Sequence, residues 1–245
     1  MKNELFGLIG YPISHSFSKR YFSEKFEKEG LDHCRYELFP IASINLLPET
    51  LRNNPDLRGL NVTIPYKEAV LSYLDGFGEG VEAIGAVNVI DISDGKLIGY
   101  NSDVAGFELS LRHFLGTDHP EAALVLGSGG ASKAVQFVLS KMNIPYQLVS
   151  RNPKTGLVYE QLTRDILQTH RLIINTTPLG MSPQTETCPK IPFDWISPRH
   201  LLFDLVYNPE ETLFLKKGQL QGARIKNGLD MLYIQAEKAW EIWNK

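Results

Sequence analysis

Three features of the sequence predict an α/β protein built as two domains. From Glu121 onward, short apolar strands alternate with helical segments, the rhythm of a doubly wound parallel sheet. One of those strands runs into a glycine-rich turn that opens a helix, as in Rossmann-type domains. The first hundred residues carry strands that end in hydrogen-bonding residues, which a simple core does not need.

The elements follow in order. Strands are expected near Leu5–Ile9, Cys34–Phe39 and Leu57–Ile64, with Leu60, Val62 and Ile64 on the apolar face of the third. "AVNVIDISDGKLIGYN" reads as a hairpin turning at Asp94-Gly95. "SDVAGFELSLRHFL" is a helix with Val104, Phe107, Leu111 and Leu115 on one stripe. "AALVLG" is a fully apolar strand of the kind buried on both faces. The helix "ASKAVQFVLSKM" follows, then strands in "PYQLVSR", "RLIINTTP" and "HLLFDLVY". "GLDMLYIQAEKAWEIW" closes the chain as a helix striped by Leu232, Ala236, Ala239 and Trp243. The expected division is residues 1–103, with the helix 229–245 packing back on them, and residues 104–228.

The chain has 245 residues, 43% hydrophobic and 22% charged, enough to bury a full core. Its formal net charge of -3 offers no attraction to nucleic acid or an anionic membrane. Cys34 and Cys188 are far apart in sequence and read as ordinary reduced thiols, with no metal site expected. The apolar run before Pro12 is too short for a signal-peptide core, and no run approaches the roughly 18 residues of a membrane span. The cytoplasm is the default compartment.

"LVLGSGGASKA" places Gly127, Gly129 and Gly130 between a buried strand and a helix. Such a turn lets the backbone approach a phosphate, and the helix start offers free N–H groups. Dinucleotide binding is the functional reading; a plain helix-entry turn is the bland one. After the next strand, "LVSRNPK" has no acid to hold a ribose 2′-hydroxyl but carries Ser150, Arg151, Asn152 and Lys154. An arginine there accommodates a 2′-phosphate, which favours NADP over NAD, against a solvated basic loop.

The polar strand ends are Ser14 and Ser16 after the first strand and Asn61, Thr63 and Lys67 in "GLNVTIPYKEAV". Asn88 lies in "GAVNVI", and Asn101 and Asp103 in "GYNSDVAG". In open α/β sheets ligands bind beyond the strand ends. Each residue also has a structural reading. Ser16 and Asp103 suit helix caps, Asn88 a satisfied core amide and Lys67 a solvated helix start. His15 reads as a loop residue.

Taken together, "SHS", "NVTIPYK", "GAVNVI", "NSDVAGF", "GSGGAS", "INTTPLGM", "DLVYNP" and "NGLDMLYIQA" resemble the shikimate/quinate dehydrogenase family, in order and spacing, over nearly the whole chain. The resemblance implies an N-terminal substrate domain with a mostly parallel sheet, a Rossmann-type NADP domain and a cleft between them. It implies that Ser14 and Ser16, with Tyr207, bind a substrate carboxylate, and that Thr63, Asn88 and Gln235 bind ring hydroxyls. Lys67 and Asp103 become the catalytic pair, with the formal base left open. Gly127, Ser128, Gly129, Gly130 and Ala131 cradle the pyrophosphate, and Ser150, Arg151, Asn152 and Lys154 hold the ribose and its phosphate. Thr176, Thr177, Leu205 and Gly228 lie along the cofactor.

Two departures stand out. The family commonly has asparagine, arginine and threonine where Ser150, Arg151 and Asn152 stand, and a glycine where Asp230 stands. The implied reaction is NADP-dependent, reversible reduction of 3-dehydroshikimate to shikimate in aromatic amino-acid (chorismate) biosynthesis, by a monomer or homodimer. The alternatives are a quinate or aminoshikimate dehydrogenase of the same fold, or a dinucleotide-sensing regulatory protein without turnover.

Overall fold

The computed structural model describes residues 3–14 and 16–245, so His15 lies outside the described residues. The chain divides into two compact units, residues 1–102 with 236–245, and residues 103–235. The first contains β1 (Glu4–Gly10), α1 (Phe17–Glu29), β2 (Cys34–Pro40), α2 (Leu47–Asn53) and β3 (Leu57–Val62). It continues through β4 (Gly76–Phe77), α3 (Val81–Ile84), β5 (Val89–Ser93) and β6 (Lys96–Tyr100). The second contains α4 (Asp103–Leu115), β7 (Ala123–Leu126), α5 (Gly130–Lys141), β8 (Tyr146–Val149) and α6 (Arg164–Thr169). After these come β9 (Leu172–Asn175), β10 (Leu201–Asp204), α7 (Leu213–Leu220) and β11 (Arg224–Lys226). The last helix, α8 (Leu229–Trp243), starts in the second unit and ends in the first.

The first sheet has the order β2-β1-β3-β5-β6-β4, with β1, β2 and β3 parallel and β5 antiparallel to both of its neighbours. Strand alternation sends Leu5 and Ile9 to one face, with Leu47, Leu60 and Val62, and Phe6 and Leu8 to the other. That second face is aromatic: Phe22, Phe26, Tyr36 and Trp243 close around Phe6. Each such ring, once buried, stabilises by about 1.5–3 kcal/mol. Trp243 brings the end of α8 onto the sheet, and its Nε1 donates to the Ile90 carbonyl at 3.0 Å. Gly59 makes the seat: a Cβ there would lie 2.2 Å from Trp243 Nε1.

Two expectations for the third strand need correction. The β1–β3 register shifts between Leu5 and Phe6, so Arg58 is an extra residue. This bulge puts Leu57 and Leu60, three positions apart, on the same apolar face. The strand then ends at Val62 rather than Ile64, and Ile64 is 61% exposed instead of joining the core. Pro65 has no N–H for the ladder, and the chain turns away there.

The second sheet is all parallel, in the order β11-β10-β9-β7-β8. Ala123 and Val125 of β7 pack with Phe107 and Leu111 of α4 and Val135 and Val138 of α5. Leu124 and Leu126 point the opposite way, towards Leu167 of α6 and Phe214 and Leu215 of α7. Both faces are covered, which is why this strand is apolar at every position. Its neighbours are β8 on one side and β9 on the other, so the chain changes winding direction at β7. Beyond β8, Leu157 makes a single parallel bridge to Val149, a rudiment of a further strand.

Candidate active site

Topology collects the polar residues of the first unit at one sheet edge. Parallel β1 and β3 end at the same edge, antiparallel β5 begins there, and β6 ends there. Ser14 and Ser16 follow β1, Thr63 and Lys67 follow β3, Asn88 precedes β5, and Asn101 follows β6. The two strand ends are tied closely. Thr63 N–H donates to the Ile9 carbonyl at 3.0 Å, Tyr11 N–H donates to Ile64 O at 3.1 Å, and a Cβ on Gly10 would lie 2.4 Å from Thr63 Cγ2.

The individual environments differ. Ser14 is exposed. Ser16 is the N-cap of α1, its Oγ accepting from Ser18 N–H at 3.2 Å. Lys67 is half-buried, and its carbonyl is fixed by Val87 N–H at 2.8 Å. Asn88 is 3% exposed; its Oδ1 accepts from Ser102 N–H at 2.7 Å and its Nδ2 donates to Ser102 Oγ at 3.0 Å. The Asn88 amide therefore sets the backbone of the residue preceding Asp103. Asn61 is also buried; its Oδ1 accepts from the Tyr36 hydroxyl at 2.6 Å and its Nδ2 donates to the Asn88 carbonyl at 3.4 Å. Burial of Tyr36 raises its phenol far above the ordinary range.

The second unit carries two sets. Asp103, 5% exposed, is the first residue of α4. One turn on, Gly106 lets α4 lie against α8: a Cβ there would sit 2.7 Å from Met231 O and 3.1 Å from Gln235 Cβ. The other set surrounds the glycine turn. Gly127 has φ +112°, and a Cβ on it would lie 2.7 Å from Thr176 Oγ1 and 2.9 Å from Thr177 Cγ2. Gly129 caps α5 without any side-chain bond, and a Cβ on it would meet nothing within 4 Å. The start of α5 thus presents backbone N–H groups to an open space over a twelve-residue helix, the arrangement a pyrophosphate requires. The residues present fit a dinucleotide.

Other expected cofactor residues hold the loops in shape. Ser150 Oγ bonds to Asn152 O at 3.1 Å, Thr155 Oγ1 at 2.6 Å and Asn152 N–H at 3.0 Å, so this hydroxyl organises its own turn. Arg151 and Lys154 remain exposed, and Arg151 lies close enough to Tyr159 for its charge to offset part of the burial that raises that phenol. Thr176 Oγ1 donates to Leu126 O at 2.7 Å, and Thr177 Oγ1 to Asn175 Oδ1 at 2.7 Å. Gly228 touches the chain after β10, where a Cβ would fall 2.1 Å from Leu205 O. Tyr207 is half-buried in the same segment. Asp230, in the first turn of α8, pairs with Lys226 at the end of β11, which offsets its charge there.

Beneath these loops lies a network that sequence patterning missed. Asp204, fully buried at the end of β10, accepts from Thr212 Oγ1 at 2.6 Å, Val206 N–H at 3.0 Å and Asn175 Nδ2 at 2.9 Å. Burial pushes its carboxyl up to about 6, against the pull of those three donors. The signal was an acid inside the apolar run "LLFDLV". Cys34 has His33 and Glu4 beside it, three residue types that can ligate a metal. Burial, and then the Glu4 charge, push its thiol up to about 11.

Residues 8–90 match the family model described as the shikimate dehydrogenase substrate binding domain. The chain is 37% identical over 258 residues to a shikimate dehydrogenase (NADP(+)) of Methanococcus maripaludis, covering 99% of this chain and 92% of that protein. The chain belongs to the shikimate dehydrogenase family. Among solved members, the Aquifex aeolicus shikimate dehydrogenase superposes with a TM-score of 0.88 at 31% identity, covering 99% of this chain and 92% of that one. The Thermus thermophilus shikimate 5-dehydrogenase, solved with NADP(H) and shikimate, gives 0.85 at 31% identity, covering 98% and 93%. The likeness extends over both units, so the expected α/β class and the Rossmann-type second sheet are both found. Among the described residues no helix is long and apolar enough to cross a membrane.

Proposed function

We propose that this chain is an NADP-dependent shikimate dehydrogenase. It would catalyse the reversible reduction of 3-dehydroshikimate to shikimate, a step of aromatic amino-acid biosynthesis. The observation that carries the reading is the single sheet edge holding Ser14, Ser16, Thr63, Lys67 and Asn88 in a member of this family. In this reading residues 1–103, with 229–245, bind substrate and perform proton transfer, and residues 104–228 bind NADP.

Shikimate offers a carboxylate and three hydroxyls. Hydroxyl donors at Ser14 and Ser16, with Tyr207, suit the carboxylate. Thr63, Asn88 and Gln235 suit the ring hydroxyls, and Asn88 is held rigid by Ser102. Oxidising a secondary alcohol requires removal of a hydride from carbon and a proton from oxygen. NADP, when bound, supplies the hydride acceptor. Lys67 takes the proton as a neutral amine in the oxidative direction and returns it as an ammonium in the reductive one. Asp103 is the second member of this proposed catalytic pair. The glycine turn and the α5 N-terminus hold the pyrophosphate, and Arg151 with Lys154 favours the 2′-phosphate.

The test is reduced-cofactor absorbance with purified protein, NADP and either shikimate, quinate or no substrate. NADPH formation with shikimate, well above quinate, is expected. A folded protein that binds NADP yet forms no NADPH from shikimate would overturn the reading.

A further inference from the structure

At the opposite end of the first sheet, Glu4, His33 and Cys34 bring a carboxylate, an imidazole and a thiol together, with their ligand atoms all within 4.8 Å of one another. We infer that these three residues bind one zinc-class divalent cation. Backbone pairing holds the set in place. Glu4 opens β1 and Cys34 opens β2, and the two are cross-strand partners, so their side chains share a sheet face. Glu4 N–H donates to the His33 carbonyl at 2.9 Å, which fixes the third residue against the first.

A tetrahedral ion requires the three ligand atoms, now within 4.8 Å of one another, to draw closer. Bond lengths of roughly 2.0–2.3 Å put neighbouring ligand atoms about 3.5 Å apart. Cys34 Sγ lies 4.0 Å from Glu4 Oε2, so closure on an ion takes about half an ångström there. The other carboxylate oxygen, Oε1, faces Arg58 Nε at 3.6 Å, which orients Glu4 while leaving Oε2 to the cluster. All three residues are half-buried, within reach of solvent for entry and exchange. Sulfur and nitrogen donors select zinc, cobalt or cadmium over magnesium and calcium, and three protein ligands leave a fourth position for water. Binding displaces the Cys34 thiol proton into solvent and forms the metal–sulfur bond. The cluster stands at the start of β1 and the polar edge at its end, about 20 Å away at 3.3 Å per residue, so the ion would fasten β1 to β2 and take no part in the reaction.

The test uses untagged, chelator-stripped protein titrated with cobalt(II), then zinc(II). One equivalent of cobalt should give a thiolate-to-cobalt charge-transfer band that zinc abolishes, and zinc should raise the melting temperature. Cys34→Ser should remove the band. Cys34→Ser and His33→Asn should each weaken zinc by at least roughly tenfold, the scale on which even supporting residues act. Cys188→Ser should keep the band, and shikimate oxidation should be unchanged in all three variants. If Cys34→Ser fails to fold, zinc protection of Cys34 from alkylation in the Cys188→Ser protein replaces it. No thiolate band with wild type, or a band that survives Cys34→Ser, would overturn the inference.

Discussion

Gly129→Ala separates cofactor binding from folding. Gly129 has φ -85° and ψ -175°, extended backbone that alanine adopts without strain, and its added Cβ meets nothing within 4 Å. The folded protein therefore accepts the methyl group. The unfolded chain loses freedom, which stabilises the variant by about 0.4–1 kcal/mol. In a chain of this size that raises the melting temperature by about 1–4 °C. The same methyl group stands where a phosphate must approach the N–H groups of α5. Losing one charge-assisted hydrogen bond there costs about 1.5–3 kcal/mol. That weakens NADP roughly 10- to 150-fold. Gly127→Ala supplies the contrast, since its φ of +112° and its 2.7 Å approach to Thr176 Oγ1 make it destabilising before any ligand is added. Calorimetric melting and NADP titration calorimetry on both variants read the two effects apart. A Gly129→Ala protein that binds NADP as tightly as wild type would refute the placement of the pyrophosphate at this turn.

Three further outcomes are expected. Arg151→Ala should weaken NADP far more than NAD, by roughly 1.5–3 kcal/mol, and equal losses in titrations of the two cofactors would contradict a 2′-phosphate contact. The Ser14→Ala, Ser16→Ala double variant should raise KM for shikimate with little change in kcat, beyond a loss of about 1 kcal/mol in stability from the Ser16 cap. An unchanged KM would leave Ser16 as a cap alone. For Asp204, the folded carboxyl at about 6 stands above its ordinary 3.8, so its contribution to stability is full below that lower value and is lost as pH rises to about 6. A gap of about two pH units amounts to roughly 3 kcal/mol, and Asp204→Asn should flatten this part of the urea-unfolding profile between pH 4 and 6; identical slopes in both proteins would sink the assignment.

Local pattern revealed the elements whose burial is uniform. β7 is apolar at every position, and β9 at every position before Asn175, because helices cover both of their faces, and the helices α4 and α8 carry clear stripes. The glycine turn and the polar strand ends were visible for the same reason: each is a short contiguous signal. What depended on register was hidden. The bulge at Arg58 puts Leu57 and Leu60 on one face against simple alternation, and the turn at Pro65 takes Ile64 out of the strand, so alternation alone carried the apolar face too far. The tie between Asn88 and Ser102 spans fourteen residues across a hairpin, and the meeting of Glu4 with Cys34 exists only through the β1–β2 ladder. The short helices α6 and α7 gave too little periodicity to detect, although Thr163 and Thr212 cap them through Ile166 and Leu215 N–H groups.

The most direct measurement is kcat for shikimate oxidation by Lys67→Met, alongside NADP affinity. Methionine keeps the length of the lysine stem and removes its proton-transfer group, so lost chemistry is distinguished from lost packing. The expected result is a fall in kcat of roughly 10²–10⁴-fold with NADP affinity unchanged. Asp103→Asn should also lose kcat, and the double variant should lose less than the product of the two factors. A Lys67→Met enzyme with near-wild-type kcat would contradict proton transfer at this sheet edge and leave the lysine as a solvated residue at a turn.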